Sequence, residues 1–363
     1  MLNHTLELLR SSAEKATLKE FLTAQRECRL REMAEMHSIQ TQPTTCKTKL
    51  VENLQAKLLD LRHFRNCFLG LTPEEIDLFD RLVRETVVPF DDTLHSASRY
   101  FCYSGFLELR EVEGTKYLLV YPELVLLYSV INTEEFRADL RLHQNVDRYV
   151  RAATSLYGAV HLGQFFEIYN AHNRPISLYD VDRISAHLEL SFKPYFLHKD
   201  YFLHDSFRDG LSDPDGRLSR WLTATEGIRN YFSPTVDFLK YVDAEYVEET
   251  LQFLAVQDFL VDHVTGDISK ANALTKRLYF KCAADSSLSD ILKELERSKV
   301  TISPKVLSGF VPLLVELDCS ARKWRYKGFT YNELHQRGTG LATHRFYVEL
   351  REKAGKLGGD LRL

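Results

Sequence analysis

The chain has 363 residues, 44% of them hydrophobic and 12% aromatic, and a formal charge of −4. It is too long for one ordinary core, so two or three domains are expected, and its composition is that of a packed globular protein. An acidic total argues against a dedicated DNA-binding protein, which is usually more basic. The charge is unevenly spread, however: residues 1–65 carry net +3 and residues 319–363 net +6, which leaves −13 between them. Basic ends around an acidic body permit a polyanion partner without demanding one. Six cysteines stand at 28, 46, 67, 102, 282 and 319. No Cys-x-x-Cys pair exists, so no zinc ribbon or finger is expected, and scattered single thiols fit a reducing cytosol. The N-terminus reads as a charged amphipathic helix and not as a signal peptide. The longest apolar stretch, 117–131, is interrupted by Pro122 and Glu123, so no membrane span or membrane partner is expected and the location is taken as cytoplasmic.

In chain order, residues 5–27 repeat apolar positions at helical spacing through Leu6, Leu9, Ala13, Ala16, Leu18, Phe21 and Leu22. Residues 29–59 read as a short helix, an extended polar connector containing Pro43, and a second helix opened by Thr45 with Lys47 and Lys49. Residues 63–70 read as a link to the body. Thr72-Pro-Glu-Glu75 is a helix start, with Thr as N-cap and acids against the dipole. A second helix follows over 92–103 and breaks at Gly105. Runs 106–112 and 116–121 around Glu113-Gly114 predict a hairpin, and Pro122 opens another helix to 130. A second block has a similar plan: helices over 145–157 and 162–170, a third capped by Ser177, and a hairpin of 195–198 and 201–204 around Lys199-Asp200. Each block thus reads as winged-helix-like. The segment 210–216 is the clearest linker. Beyond it, helices over 234–242, 244–264, 268–281, 288–298 and 304–317 suggest a compact bundle. The fold class is therefore mainly α, with expected domains at 1–65, 70–132, 145–208 and 217–363, the last ending in a basic segment and a Gly-rich tail at 355–359.

In the stretch 29–59, Leu30, Met33, Ala34 and Ile39, then Lys49, Leu50, Val51 and Leu54, resemble the SAP and Rho N-terminal helix-extended-loop-helix family. That resemblance implies that Lys47 and Lys49 meet phosphates, with Thr45 offering the helix N-terminus to one. The alternative is a small packing hairpin. Arg322-Lys-Trp-Arg-Tyr-Lys327 places four cations and two aromatics in six residues, which suits a phosphate backbone with stacked bases and nominates Arg322, Lys323, Trp324, Arg325 and Lys327. The competing account is a turn anchored by a buried Trp324. The surrounding segment 317–334, with Leu156-Tyr-Gly158 and Phe166-Glu-Ile-Tyr-Asn170, resembles uncharacterised Firmicutes proteins related to those carrying a SEC-C zinc tail. Those read Asn-Asn-Thr-Arg-x-Trp and Thr-Pro-Asn-Glu-Leu where this chain has Cys319-Ser-Ala321 and Tyr331, and it lacks the cysteine-rich tail, so zinc is not carried over.

Other motifs point to no chemistry. His198 and His204 fall at opposite ends of their hairpin and need a third ligand to hold a metal. Asp213-Pro-Asp215-Gly216 lacks the later oxygen ligands of a calcium loop and reads as a turn. The third helix of the second block offers Asp180, Asp182 and Glu189, which argues against major-groove reading. No nucleotide-binding, nucleophile-elbow or zinc-protease motif occurs. The expectation is a non-enzymatic nucleic-acid-associated or regulatory protein that binds DNA or RNA without sequence preference. The alternative is a protein-interaction scaffold with structural winged helices. No cofactor and no metal are expected, so a chelator should leave thermal stability unchanged.

Overall fold

The computed structural model describes residues 9–11, 13, 15–208, 214–231, 235–284, 286–298 and 304–336. The tail at 355–359 lies outside these, as does most of the predicted linker. The chain is mainly helical, with two small three-stranded antiparallel sheets, and divides into two compact units. The first comprises Met1–Arg148 with Asn173–Pro194, the second Tyr149–His172 with Tyr195–Leu363.

In the first unit the helix read over 5–27 is not continuous. Helix α1 (Leu18–Ala24) starts at a reciprocal cap, in which the Thr17 hydroxyl accepts from the Glu20 amide and the Glu20 carboxylate accepts from the Thr17 amide. Gln25 and Arg26 are extended, and α2 (Glu27–Met36) begins afresh. An irregular connector leads to α3 (Lys47–Leu58). Leu30, Met33 and Ala34 of α2 and Leu50, Val51, Leu54 and Leu58 of α3 are buried, each set one helical stripe. The predicted link at 63–70 is instead a core helix, α4 (Leu61–Leu69), capped by the Asp60 carboxylate. Its Phe64, Cys67 and Phe68 share one face, and the Phe68 ring touches those of Phe64, Phe79, Phe101, Phe106 and Tyr128 at 4.3–5.8 Å.

Helix α5 (Pro73–Glu85) starts at the predicted Thr72–Glu75 capping box. Strand β1 (Val87–Pro89), too short to show alternation, joins a sheet with β2 (Glu108–Val112) and β3 (Thr115–Leu119) in the order β1-β3-β2. Between β1 and the hairpin lies α6 (His95–Ser104), stopped by Gly105 at φ +85°. Glu113 and Gly114 both take positive φ, which matches the twist of a two-residue hairpin turn. Helix α7 (Pro122–Ile131) and the start of α8 (Glu134–Tyr157) complete the chain's first pass.

The second unit takes the last turns of α8, then β4 (Ala159–His161) and α9 (Leu162–His172). The next helix, α10 (Leu178–Leu188), belongs with the first unit, not with the block 145–208 in which the sequence placed it. It packs on α4, and the Ser191 hydroxyl beyond it donates to the Gly70 carbonyl. A Cβ on Gly70 would lie 2.5 Å from the His187 carbonyl oxygen, so the contact needs a glycine. The chain returns to the second unit in the hairpin β5 (Tyr195–His198) and β6 (Tyr201–His204), which completes the sheet β4-β6-β5 with Lys199 and Asp200 at the turn. Helix α11 (Pro214–Ala224) begins inside the predicted linker, of which 210–213 lie outside the described residues. Its Asp215 accepts from Lys199 and pairs with His198.

After α12 (Thr235–Phe238), a bundle forms from α13 (Leu251–Leu260), α14 (Ile268–Ala283), α15 (Leu288–Arg297) and α16 (Pro304–Ser320). Its core includes Phe253, Leu260, Leu278, Ile291, Phe310 and Leu314. A single turn at Trp324–Tyr326 leads to α17 (Tyr331–Gln336).

Candidate functional site

Lys47, Thr48 and Lys49 are exposed at the first turn of α3. The N-cap is Cys46, which makes no side-chain cap bond, so the first amides have no capping acceptor. Thr45 is not the cap: its hydroxyl accepts from the Gln42 amide and its carbonyl from Arg31. The Arg31 guanidinium also takes the carbonyls of Gln42 and Pro43 and pairs with Glu27 at 2.6 Å, which fixes the connector's path. Lys49 pairs with Glu52 at 3.2 Å, both side chains more than half exposed.

The C-terminal basic segment divides. Lys323 is buried, its ammonium 2.7 Å from the buried Asp318 carboxylate. Arg322 lies over the Tyr231 ring at 3.8 Å and pairs with Glu248 and Glu333. Trp324 donates to the Ser155 carbonyl at 2.8 Å and packs on Gly158, where a Cβ would stand 2.6 Å from the indole. With Tyr241, Tyr246 and Tyr279, Arg322 and Trp324 line a cavity of about 350 Å³. Arg322, Lys323 and Trp324 are thus committed to packing and ion pairing. Arg325 is exposed and Lys327 half-buried, its ammonium 5.4 Å from the Trp221 ring centre.

His198 and His204 do sit at opposite ends of their hairpin. The residues that sequence reasoning missed are in the first unit. His37 caps the end of α2, while His63 and Cys67 lie one turn apart on α4. His37 Nδ1 is 2.8 Å from His63 Nε2, and Cys67 Sγ is 3.5 Å from the same nitrogen. His37 Nε2 donates to the Ser104 carbonyl at 2.7 Å, which leaves Nδ1 as the lone-pair nitrogen. The buried Tyr100 hydroxyl neighbours the Cys67 thiol. Burial, then the His37 and Lys57 charges, push His63 down to about 4, and burial pushes the Cys67 thiol up to about 11. The signal was present as His63-x-x-x-Cys67, but His37 stands 26 residues away, and its pairing depends on the turn of the connector.

A second histidine pair joins α8 and α10. His143 Nδ1 donates to the Asp139 carbonyl, so His187 Nδ1 donates to His143 Nε2 at 3.0 Å. Burial pushes His143 down to about 4 and lowers His187 as well. Nearby, Lys193 and Asp147 form a buried ion pair at 3.2 Å, and burial raises the Glu75 carboxyl despite its bonds to Thr72 and the Lys193 charge.

No family model, curated protein or solved structure matches the chain. No helix among the described residues is long and apolar enough to cross a membrane.

Proposed function

We propose that the chain is a non-enzymatic, nucleic-acid-associated protein whose phosphate contacts centre on the first turn of α3. The supporting observation is the combination there of uncapped amides with exposed Lys47 and Lys49, on a connector tied down by Arg31. Anions favour a helix N-terminus, and two lysines add charge without reading bases. The Lys49–Glu52 pair is no obstacle, since an exposed pair contributes under about 1 kcal/mol. At the other end of the chain the reading narrows to the exposed Arg325 and the half-buried Lys327, because the Arg322 and Lys323 side chains are buried against carboxylates. The resemblance of residues 29–59 to the SAP and Rho N-terminal family points the same way. DNA and RNA serve equally as partners, and a cytoplasmic setting is consistent with six free cysteines.

Fluorescence anisotropy with labelled random-sequence DNA and RNA, using the full chain at low ionic strength, tests this. The joint variant Lys47→Ala/Lys49→Ala should weaken binding evenly across sequences. Absence of binding by the wild-type chain would remove the reading. The scaffold alternative has its own support in exposed apolar side chains of the first unit: Leu126 and Val130, one turn apart on α7, and Leu178 and Tyr179 at the start of α10.

A further inference from the structure

We propose that His37, His63 and Cys67 bind a zinc ion, with one coordination position left to water or an added donor. Their ligand atoms lie within 4.8 Å of one another, the one such group of three among the described residues. A tetrahedral zinc with Zn–N of about 2.0–2.1 Å and Zn–S of about 2.3 Å separates two nitrogens by roughly 3.3 Å and a nitrogen from a sulfur by roughly 3.5 Å. The chain has 2.8 Å and 3.5 Å, so the two rings need to part by about half an ångström. His63 and Cys67, four residues apart on α4, face the same way by helix geometry, so one helix presents two ligands together.

The outer contacts suit a metal. Metal-bound histidines commonly give their other N–H to a carbonyl, and His37 does so to Ser104. Tyr100 sets a hydroxyl against the Cys67 sulfur. A single proton on His63 Nε2 cannot serve both His37 Nδ1 and Cys67 Sγ, whereas one ion at their centre satisfies all three. Two imidazoles and a thiol, with no carboxylate among them, select a borderline-soft ion over magnesium or calcium. Binding replaces the thiol proton by the Zn–S bond and releases that proton to solvent, so affinity weakens as pH is lowered. The ion would tie the end of α2 to α4, which reverses the sequence-based expectation that a chelator leaves stability unchanged.

The test is a titration of the full chain, stripped with a chelator, with cobalt(II) and then zinc(II). One equivalent of cobalt should produce tetrahedral d–d bands and a thiolate-to-cobalt charge-transfer band, both removed by one equivalent of zinc, which should also raise the thermal midpoint. Cys67→Ser should abolish the charge-transfer band. Tyr100→Phe should weaken binding by about 10–100-fold, the range typical of outer contacts. Absence of the band in wild type, or its persistence in Cys67→Ser, would overturn the proposal; persistence would place the ion on another thiol, such as exposed Cys28 or Cys46. Should Cys67→Ser fail to fold, His63→Gln at a half-buried position decides: unchanged cobalt affinity also overturns it.

Discussion

Four histidines of the first unit are held neutral by burial, His37 and His63 as one pair and His143 and His187 as the other. Lys57 and Asp60 face the first pair, and Arg183, Arg65 and Asp139 the second. Unfolded histidines protonate near 6.5, whereas His63 and His143 in the fold wait until about 4. The unfolded state therefore binds more protons between these values, and stability present above pH 6.5 is lost as pH falls toward 4. The thermal midpoint should drop by several degrees from pH 7 to pH 5, and the drop should shrink in His143→Gln/His187→Gln. A midpoint that is flat over that interval would contradict the neutral pairs. In the second unit, Lys323→Met removes the ammonium that pairs with the fully buried Asp318 carboxylate. It should destabilise by about 3–5 kcal/mol in chemical denaturation, against about 0.5 kcal/mol or less for exposed Arg325→Ala. Residue roles at this scale were poorly legible. Four neighbouring cations read as one patch, and only the fold reveals which of them meet Asp318, Glu248 and Glu333.

Local chemistry was much more legible at the scale of elements. Thr72 with Glu75, Ser177 with Asp180, and the turns Glu113-Gly114 and Lys199-Asp200 act within four residues of one another, and each forms the element expected from it. Three-residue β1 and β4 escaped because their pairing partners, β3 and β6, are distant in sequence. Helix α4 escaped because charged Arg62 and Arg65 interrupt a short apolar stripe that its neighbours complete. Two glycines measure what a turn costs alone and with packing. Gly114 and Gly158 share φ +76°, but a Cβ on Gly114 meets nothing within 4 Å, whereas one on Gly158 strikes Trp324. Gly114→Ala should cost about 1–2 kcal/mol for its backbone. Gly158→Ala should add about 1–3 kcal/mol of overpacking and quench or shift Trp324 fluorescence. Equal costs would show that Trp324 yields freely. Arg31→Ala should release three connector carbonyls, seen as faster amide exchange over 38–46.

For the molecule as a whole, mainly helical architecture with two hairpins follows from periodicity and turn residues, but the division into two units does not. Asn173–Pro194 joins the first unit because α10 finds its packing partner in α4, more than a hundred residues earlier. Charge organisation is the feature at this scale that bears on function, with +9 at the ends and −13 between. If the first turn of α3 meets phosphates, binding is driven by counterion release and carries a countable salt slope. Glu52→Ala, which frees Lys49 and removes a carboxylate, should tighten polyanion binding. The most direct measurement is the logarithmic salt dependence of the affinity of the full chain for random single-stranded DNA, compared between wild type and Lys47→Ala/Lys49→Ala. Binding that weakens steeply with salt, with a slope shallower by about one to two in the double variant, is the predicted result. A slope and affinity unchanged by the two substitutions would contradict it.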